Sequence, residues 1–173
     1  ISLAFVGFTN TPGIILNALK GSEVTGIFGV SQIISNPLSI IPVTLSAALF
    51  PIISGLSAKA NPVKSQRKLI NLVLKYVFFI NLPINVVFIF FADNLILIFS
   101  SNLFLSSSIL LPILIFAALF FGLGSLFNSS LYAIRKPFVS RNITLLTTGL
   151  FLSLAFPLTF FFSSLGMSIA YAI

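Results

Sequence analysis

Polar side chains break this sequence at long intervals. The apolar stretches between them cover about 1–19, 25–53, 69–92, 106–134 and 142–162, and a further one starts at 166. A helix that crosses the ~30 Å hydrocarbon core of a bilayer needs about 20 mostly apolar residues. Five stretches meet that length, and the sixth is cut off. The predicted fold is all-α: a polytopic transmembrane helix bundle of five full spans plus the start of a sixth, forming one membrane domain over 1–173. Leu95 to Phe99 is apolar but too short to span, and with the Ser-rich turn after it predicts an interfacial loop. The chain opens on Ile1 and stops inside an apolar run, so we expect a fragment of a longer protein whose spans serve as its targeting signal.

Pro12, Pro37, Pro42, Pro83, Pro112 and Pro157 fall inside these spans. Each removes a backbone donor and tends to kink its helix. Transporters need bent helices that rock around a central cavity, although receptors and membrane enzymes carry intramembrane prolines too.

The polar residues within spans fall in stripes. Gln32, Asn36, Ser39 and Ser46 share one helical face. Asn71, Lys75 and Asn85 lie within ~80° of arc, with Asn81 just beyond its edge. Ser125, Asn128, Ser129 and Tyr132 share a face, as do Thr144, Thr147 and Thr148, and Asn10 and Asn17 are roughly aligned. Two readings stand for these stripes. Small hydroxyl residues suit hydrogen bonds across helix–helix contacts. The larger amides suit a shared water-filled cavity that receives a polar head group. The candidate cavity residues are Asn10, Asn17, Gln32, Asn36, Lys75, Asn81, Asn85 and Asn128. Lys75 lies about two turns beyond the basic linker, so it either snorkels to the cytoplasmic interface or faces an anionic ligand at the cavity mouth.

Composition sharpens the picture. Hydrophobic residues make up 58% of the chain and charged ones 6%, against roughly 45–50% and 25% in soluble domains, so a soluble domain is excluded. The sequence has no His and no Cys, and its two acids, Glu23 and Asp93, stand far apart. Thiol and imidazole catalysis and a paired-carboxylate site are therefore missing, and no phosphate-binding Gly-rich loop occurs. The expectation is a protein that is not an enzyme and that needs no cofactor and no metal. Both acids sit at span ends, so no intramembrane carboxylate is in place to couple transport to a cation.

Charge sets an expected orientation. Lys59, Lys64, Arg67, Lys68, Lys75, Arg135, Lys136 and Arg141 fall on one side of the alternating spans, and Lys20, Glu23 and Asp93 on the other. The positive-inside rule makes loops 54–68 and 135–141 cytoplasmic, in a multi-pass protein of the cytoplasmic (plasma) membrane. These cations serve topology at span ends, so no nucleic-acid partner is expected.

Several segments carry a family likeness. Glu23-Val24-Thr25-Gly26-Ile27-Phe28-Gly29-Val30-Ser31 resembles the E-V-x-G-x-Y-x-x-A opening of a span in polysaccharide flippases, members of the multidrug/oligosaccharidyl-lipid/polysaccharide exporter superfamily. Leu49-Phe50-Pro51-Ile52-Ile53-Ser54 is similar to that group's L-F-P-x-x-S exit. Then come the basic linker around Arg67-Lys68, Asn81-Leu82-Pro83 within the next span, and the short apolar segment Leu95 to Phe99. Leu131-Tyr132-Ala133-Ile134-Arg135-Lys136 resembles a later L-x-A-x-G-K exit, and Gly166 with Ala170 the small residues that begin the helix after it. The order is the family's order over nearly the whole chain. Phe28 stands where Tyr is common, Ser31 where Ala is, Ser100 where Gly often follows, and Arg135 replaces the Gly of the later exit.

The resemblance implies half of a two-bundle, V-shaped transporter that translocates polyprenyl-pyrophosphate-linked oligosaccharide by alternating access. Lys75, with Arg67 or Arg141, would attract the pyrophosphate, and the amides would contact sugar hydroxyls. Implied partners are the lipid-linked oligosaccharide, the lipid bilayer, the missing remainder of the chain itself, and a polysaccharide polymerase or glycosyltransferases. A lipid II flippase of the same superfamily is the nearest rival, but it typically shows a charged Y-A-D-R-L stretch where this chain has the uncharged Gly29-Val30-Ser31-Gln32-Ile33. A drug or cation antiporter, a non-transporting membrane assembly subunit and a polyprenyl-using glycosyltransferase are the further alternatives.

Overall fold

The computed structural model describes residues 2–56 and 62–172, with side chains over 10–56 and 63–172; Lys59, and with it the middle of the 54–68 loop, lies outside the described residues. Among the described residues the chain is helical apart from short turns, with no strand. Helix α1 (Ser2–Lys20) ends at Gly21, whose φ of 86° is open to glycine and costly for any residue with a Cβ. Helix α2 (Ser22–Ser35) passes through a 3-10 turn (Asn36–Ser39) into α3 (Ile40–Leu56). Pro37 explains that interruption, because it cannot donate to the carbonyl four residues back. Helices α4 (Pro62–Phe90) and α5 (Ala92–Phe99) follow, then a second 3-10 stretch (Asn102–Ile109), α6 (Leu111–Ala133) and α7 (Pro137–Ala172).

Among the described residues four helical runs are long and apolar enough to cross a bilayer, Ser22–Leu56, Val63–Phe90, Leu111–Ala133 and Pro137–Ala172, and α1, expected as a full span, is not one of them. The shortest, α6, has 23 residues and at about 1.5 Å per residue exceeds the ~30 Å hydrocarbon core. The chain is a helical membrane protein.

Several boundaries differ from the sequence expectation. The third span begins as helix at Pro62 rather than at about 69. Lys, Arg and Gln are good helix formers, and Gln66 Nε2 donates to Ile53 O at 3.2 Å, which ties that first turn to the end of α3. The segment expected as an interfacial loop is instead the helix α5. Ala92 and Ile96 bury one turn apart while Ile98 and Phe99 stay exposed, so packing of one face stabilises the helix. The fourth span starts at Leu111 instead of about 106, because Ser106 to Ser108 belong to the 3-10 stretch. Ser107 Oγ donates to Ile27 O at 2.8 Å and Ser31 Oγ donates to Ser107 O at 2.7 Å, so this stretch is buttoned onto α2.

Helix α7 is divided at Ser163, where φ is 52° and ψ −129°, into limbs 137–162 and 164–172. A Cβ on Gly166 would run into the carbonyl of Leu158, so the second limb lies directly against the backbone of the first. Lys20 Nζ donates to Phe160 O at 3.0 Å and sits 5.6 Å from the Phe160 ring centroid, which brings the ends of α1 and the first limb of α7 together.

Helix α6 is the central element, with buried residues along its whole length from Leu111 to Ala133. Ile15, Leu16, Phe28, Leu110, Leu114, Phe151 and Met167 form one apolar cluster between α1, α2, α6 and α7. Ile34, Leu38, Ile96, Leu111 and Ile115 form a second. Leu49, Ile53, Val77, Leu119, Leu123 and Leu126 form the third, between α3, α4 and α6. Helices α3 and α6 approach closely, with the Pro42 ring lying on Gly122. Ser46 Oγ donates to Ser125 O at 2.7 Å and Ser129 Oγ to Ser46 O at 2.9 Å across the same contact.

The end of α6 is a Schellman turn. Lys136 N bonds to Leu131 O at 2.9 Å and Arg135 N to Tyr132 O at 3.1 Å. Arg135 takes the left-handed conformation, φ 60°, at the position where the resembled motif has Gly.

Candidate functional site

Helix α4 carries three of the candidate residues and presents them to different surroundings. Val77 belongs to the apolar cluster shared with α3 and α6, and Ile84 packs against the cluster that holds Leu38, Leu111 and Ile115. Asn81 lies between those two anchors, 1% exposed, and Asn85 one turn on is 4% exposed. The two amides sit about 40° apart on one face. Neither the Asn81 Nδ2 nor its Oδ1 has a hydrogen-bond partner among the described residues, and neither does the Asn85 Oδ1. Pro83 stands between them and leaves the Phe79 carbonyl without its usual helical donor.

Lys75 is exposed on another side of α4, about 120° round from Asn81. Together with Phe78, Phe79, Leu82 and Pro83 it lines an open groove of about 370 Å³. Phe79 is 77% exposed, so a lysine on a flexible stem borders an apolar, aromatic groove.

The remaining candidates are placed elsewhere. Gln32 is half-buried on α2 and is hydrogen-bonded to the Tyr171 side chain on the second limb of α7. Asn128, half-buried near the end of α6, accepts at its Oδ1 from Ser140 Oγ at 2.8 Å. Asn36 is exposed at the start of the 3-10 turn, and Asn10 and Asn17 are exposed on α1. The structure thus brings Asn81 and Asn85 together on one turn, and gives Gln32 and Asn128 hydroxyl partners from α7.

Hydroxyl residues divide between two roles. Ser46, Ser125 and Ser129 bind α3 to α6, whereas Thr144 Oγ1 and Thr147 Oγ1 donate back to Ser140 O and Thr144 O of their own helix, each at 3.0 Å. Sequence reasoning passed over Ser31 and Ser107, whose reciprocal bonds hold the 3-10 stretch, and Tyr171, which meets Phe28 and Phe151 edge-on at 6.4 and 6.3 Å. Ser106-Ser107-Ser108 in an apolar context was the available signal for the first. Nothing in the local pattern marks Tyr171. Among the described residues no group of three His, Cys, Asp or Glu side chains could hold a metal ion.

Apolar helices of spanning length with amides and a lysine set among them define a polytopic α-helical membrane protein. The sequence model described as polysaccharide biosynthesis protein matches residues 1–109, and the chain belongs to that family. Its role accordingly lies in polysaccharide biosynthesis. No curated protein and no solved structure matches the chain.

Proposed function

We propose that this chain is part of a transporter that moves a polyprenyl-pyrophosphate-linked oligosaccharide across the cytoplasmic membrane by alternating access, and that it is not an enzyme. The observation that carries the reading is Lys75. A charged lysine within a span is costly, by up to about 2.5–3.5 kcal/mol at the centre of the hydrocarbon. This one is turned away from the bundle, onto an open groove. An ammonium so placed is offset by water and by an anionic group, and a pyrophosphate linked to an isoprenoid tail supplies both an anion and an apolar body for Phe78, Phe79 and Leu82. Pyrophosphate and sugars cannot enter hydrocarbon unaided, whereas the tail remains in it.

In this reading the chain contributes five spans and the start of a sixth to one bundle of a V-shaped pair, and the rest of its own chain completes the cavity. The basic ends at 54–68 and 135–141 face the cytoplasm. A polymerase or glycosyltransferase would supply or consume the lipid-linked glycan.

The test is leaflet distribution of lipid-linked glycan in cells depleted of the protein. Polyprenyl-linked oligosaccharide should rise on the cytoplasmic face and fall again on re-expression, with the glycan named by mass. Lys75→Gln should cut the re-expressed activity roughly tenfold or more, the worth of one charge-assisted contact. No change in any lipid-linked intermediate refutes the transport reading.

A further inference from the structure

Among the described residues the buried serines are paired: Ser31, Ser46, Ser107, Ser130 and Ser140 all make hydrogen bonds. Asn81 and Asn85 break that pattern, with three amide atoms sealed from solvent and unpartnered among the described residues. A buried amide that makes no hydrogen bond is costly, more so in a bundle surrounded by lipid. Both amides lie on the face of α4 that carries Val77 and Ile84 into the two apolar clusters α6 shares, and α6 is among the helices that pack against α4. The Pro83 between them removes one rung of the α4 ladder, so the helix is locally free to bend at this level.

We propose that Asn81 and Asn85 form an occluded subsite for the hydroxyl groups of a sugar, exposed when α4 parts from α6 at the Pro83 level. The inference rests on the transport reading and names the part of the cargo this pair receives. An amide offers two donors and an acceptor, and two amides one turn apart match the alternating donors and acceptors of neighbouring sugar hydroxyls. Lys75, on another side of the same helix, takes the anionic part of the cargo. Closing the seam without a sugar leaves the amides unpartnered, and opening it hydrates them, which lowers the cost of parting this contact.

These 173 residues hold no cysteine, so with any cysteine elsewhere in the protein replaced by serine a single introduced thiol reports its own site. Asn81→Cys in right-side-out and inverted membrane vesicles is treated with a hydrophilic, membrane-impermeant thiol reagent. Leu16→Cys, at a fully buried position in the cluster between α1, α2, α6 and α7, controls for general loosening. The thiol at 81 should react, the one at 16 should not, and a short-chain polyprenyl-pyrophosphate disaccharide should slow the reaction at 81 roughly tenfold through the contact left at Asn85. Farnesyl pyrophosphate without sugar should give no such protection. An unreactive thiol at 81, reaction without protection, or equal protection by the sugar-free compound each overturns the proposal. The paired change Asn81→Leu and Asn85→Leu should raise the melting temperature and lower glycan transport at least tenfold; a folded double variant with full transport overturns the proposal as well. Labelling and protection are read without turnover. Failure of the transport reading in the depletion assay is therefore distinguishable from failure of the subsite.

Discussion

Gly122 stands where α3 and α6 come closest, and replacing it tests whether that contact is as tight as the geometry says. A Cβ at this position would lie 2.9 Å from Pro42 Cβ and closer still to Pro42 Cγ. The pyrrolidine ring cannot rotate away, so the two helices must separate by about 1 Å or more to restore ordinary carbon–carbon contact near 3.5–4.0 Å. Overpacking of that kind costs about 1–3 kcal/mol. The separation also stretches the bonds from Ser46 Oγ to Ser125 O and from Ser129 Oγ to Ser46 O, now 2.7 and 2.9 Å, beyond the useful range. Interhelical hydrogen bonds in membrane proteins average about 0.6 kcal/mol each. Against this, exchanging Gly for Ala in a helix gains about 1 kcal/mol. Gly122→Ala should therefore destabilise the bundle by about 1–3 kcal/mol net.

The assay is a denaturant titration in mixed micelles followed by far-ultraviolet circular dichroism, with Gly124→Ala as the comparison. A Cβ at Gly124 meets nothing within 4 Å, so that variant should be neutral or slightly stabilised. Adding Pro42→Ala to Gly122→Ala removes the obstructing ring and should recover part of the loss. If Gly122→Ala proves as stable as Gly124→Ala, the α3–α6 contact is looser than described and the reasoning fails.

Gly166→Ala should loosen the second limb of α7, because its Cβ would meet the Leu158 carbonyl, which is backbone and cannot swing aside; faster proteolysis near 163 would reveal it. Arg135→Gly should stabilise the protein by about 1 kcal/mol by relieving the left-handed strain at φ 60°, and a lowered melting temperature would show that the arginine makes a contact worth more than the strain. Ser46→Ala removes the hydroxyl that reaches Ser125 O and should cost about 0.6 kcal/mol in the same titration. Lys75→Arg should retain glycan transport where Lys75→Gln loses it, since the groove is open enough for the larger head; equal loss in both would point to shape rather than charge.

Much of this architecture was legible because apolar length is a strong signal. The run ending near 56 and the α6 run ending near 134 follow directly from where charges and polar residues resume. Arg135 was legible in another way: a non-glycine residue at an expected Gly position marks a backbone that must still turn, and it does so at φ 60°. The α3–α6 contact was not readable, because Pro42 and Gly122 are remote in sequence and nothing local pairs them. Helix α5 was missed because eight residues are too few to span, and only burial of Ala92 and Ile96 against neighbours makes the segment helical. For Asn81 and Asn85, helical arithmetic gave their shared direction but could not say that packing would seal them from solvent.

The different fates of serine and asparagine in one apolar setting follow from how much each must satisfy. A buried hydroxyl can turn back onto its own helix, as Ser130 does to Leu126 O at 2.7 Å and Ser168 to Ser164 O at 2.8 Å. It therefore costs little to bury wherever a small side chain helps two helices approach. A carboxamide has two donors and a carbonyl to satisfy, and its own helix can meet only part of that need. Each buried asparagine thus requires something from outside its helix. Asn128 obtains it from Ser140 across the α6–α7 turn, and that pairing lasts as long as the turn does. Asn81, and Asn85 at its Oδ1, find no such partner among the described residues. Burying these amides unpartnered costs stability, so selection for stability alone would favour leucine at both positions.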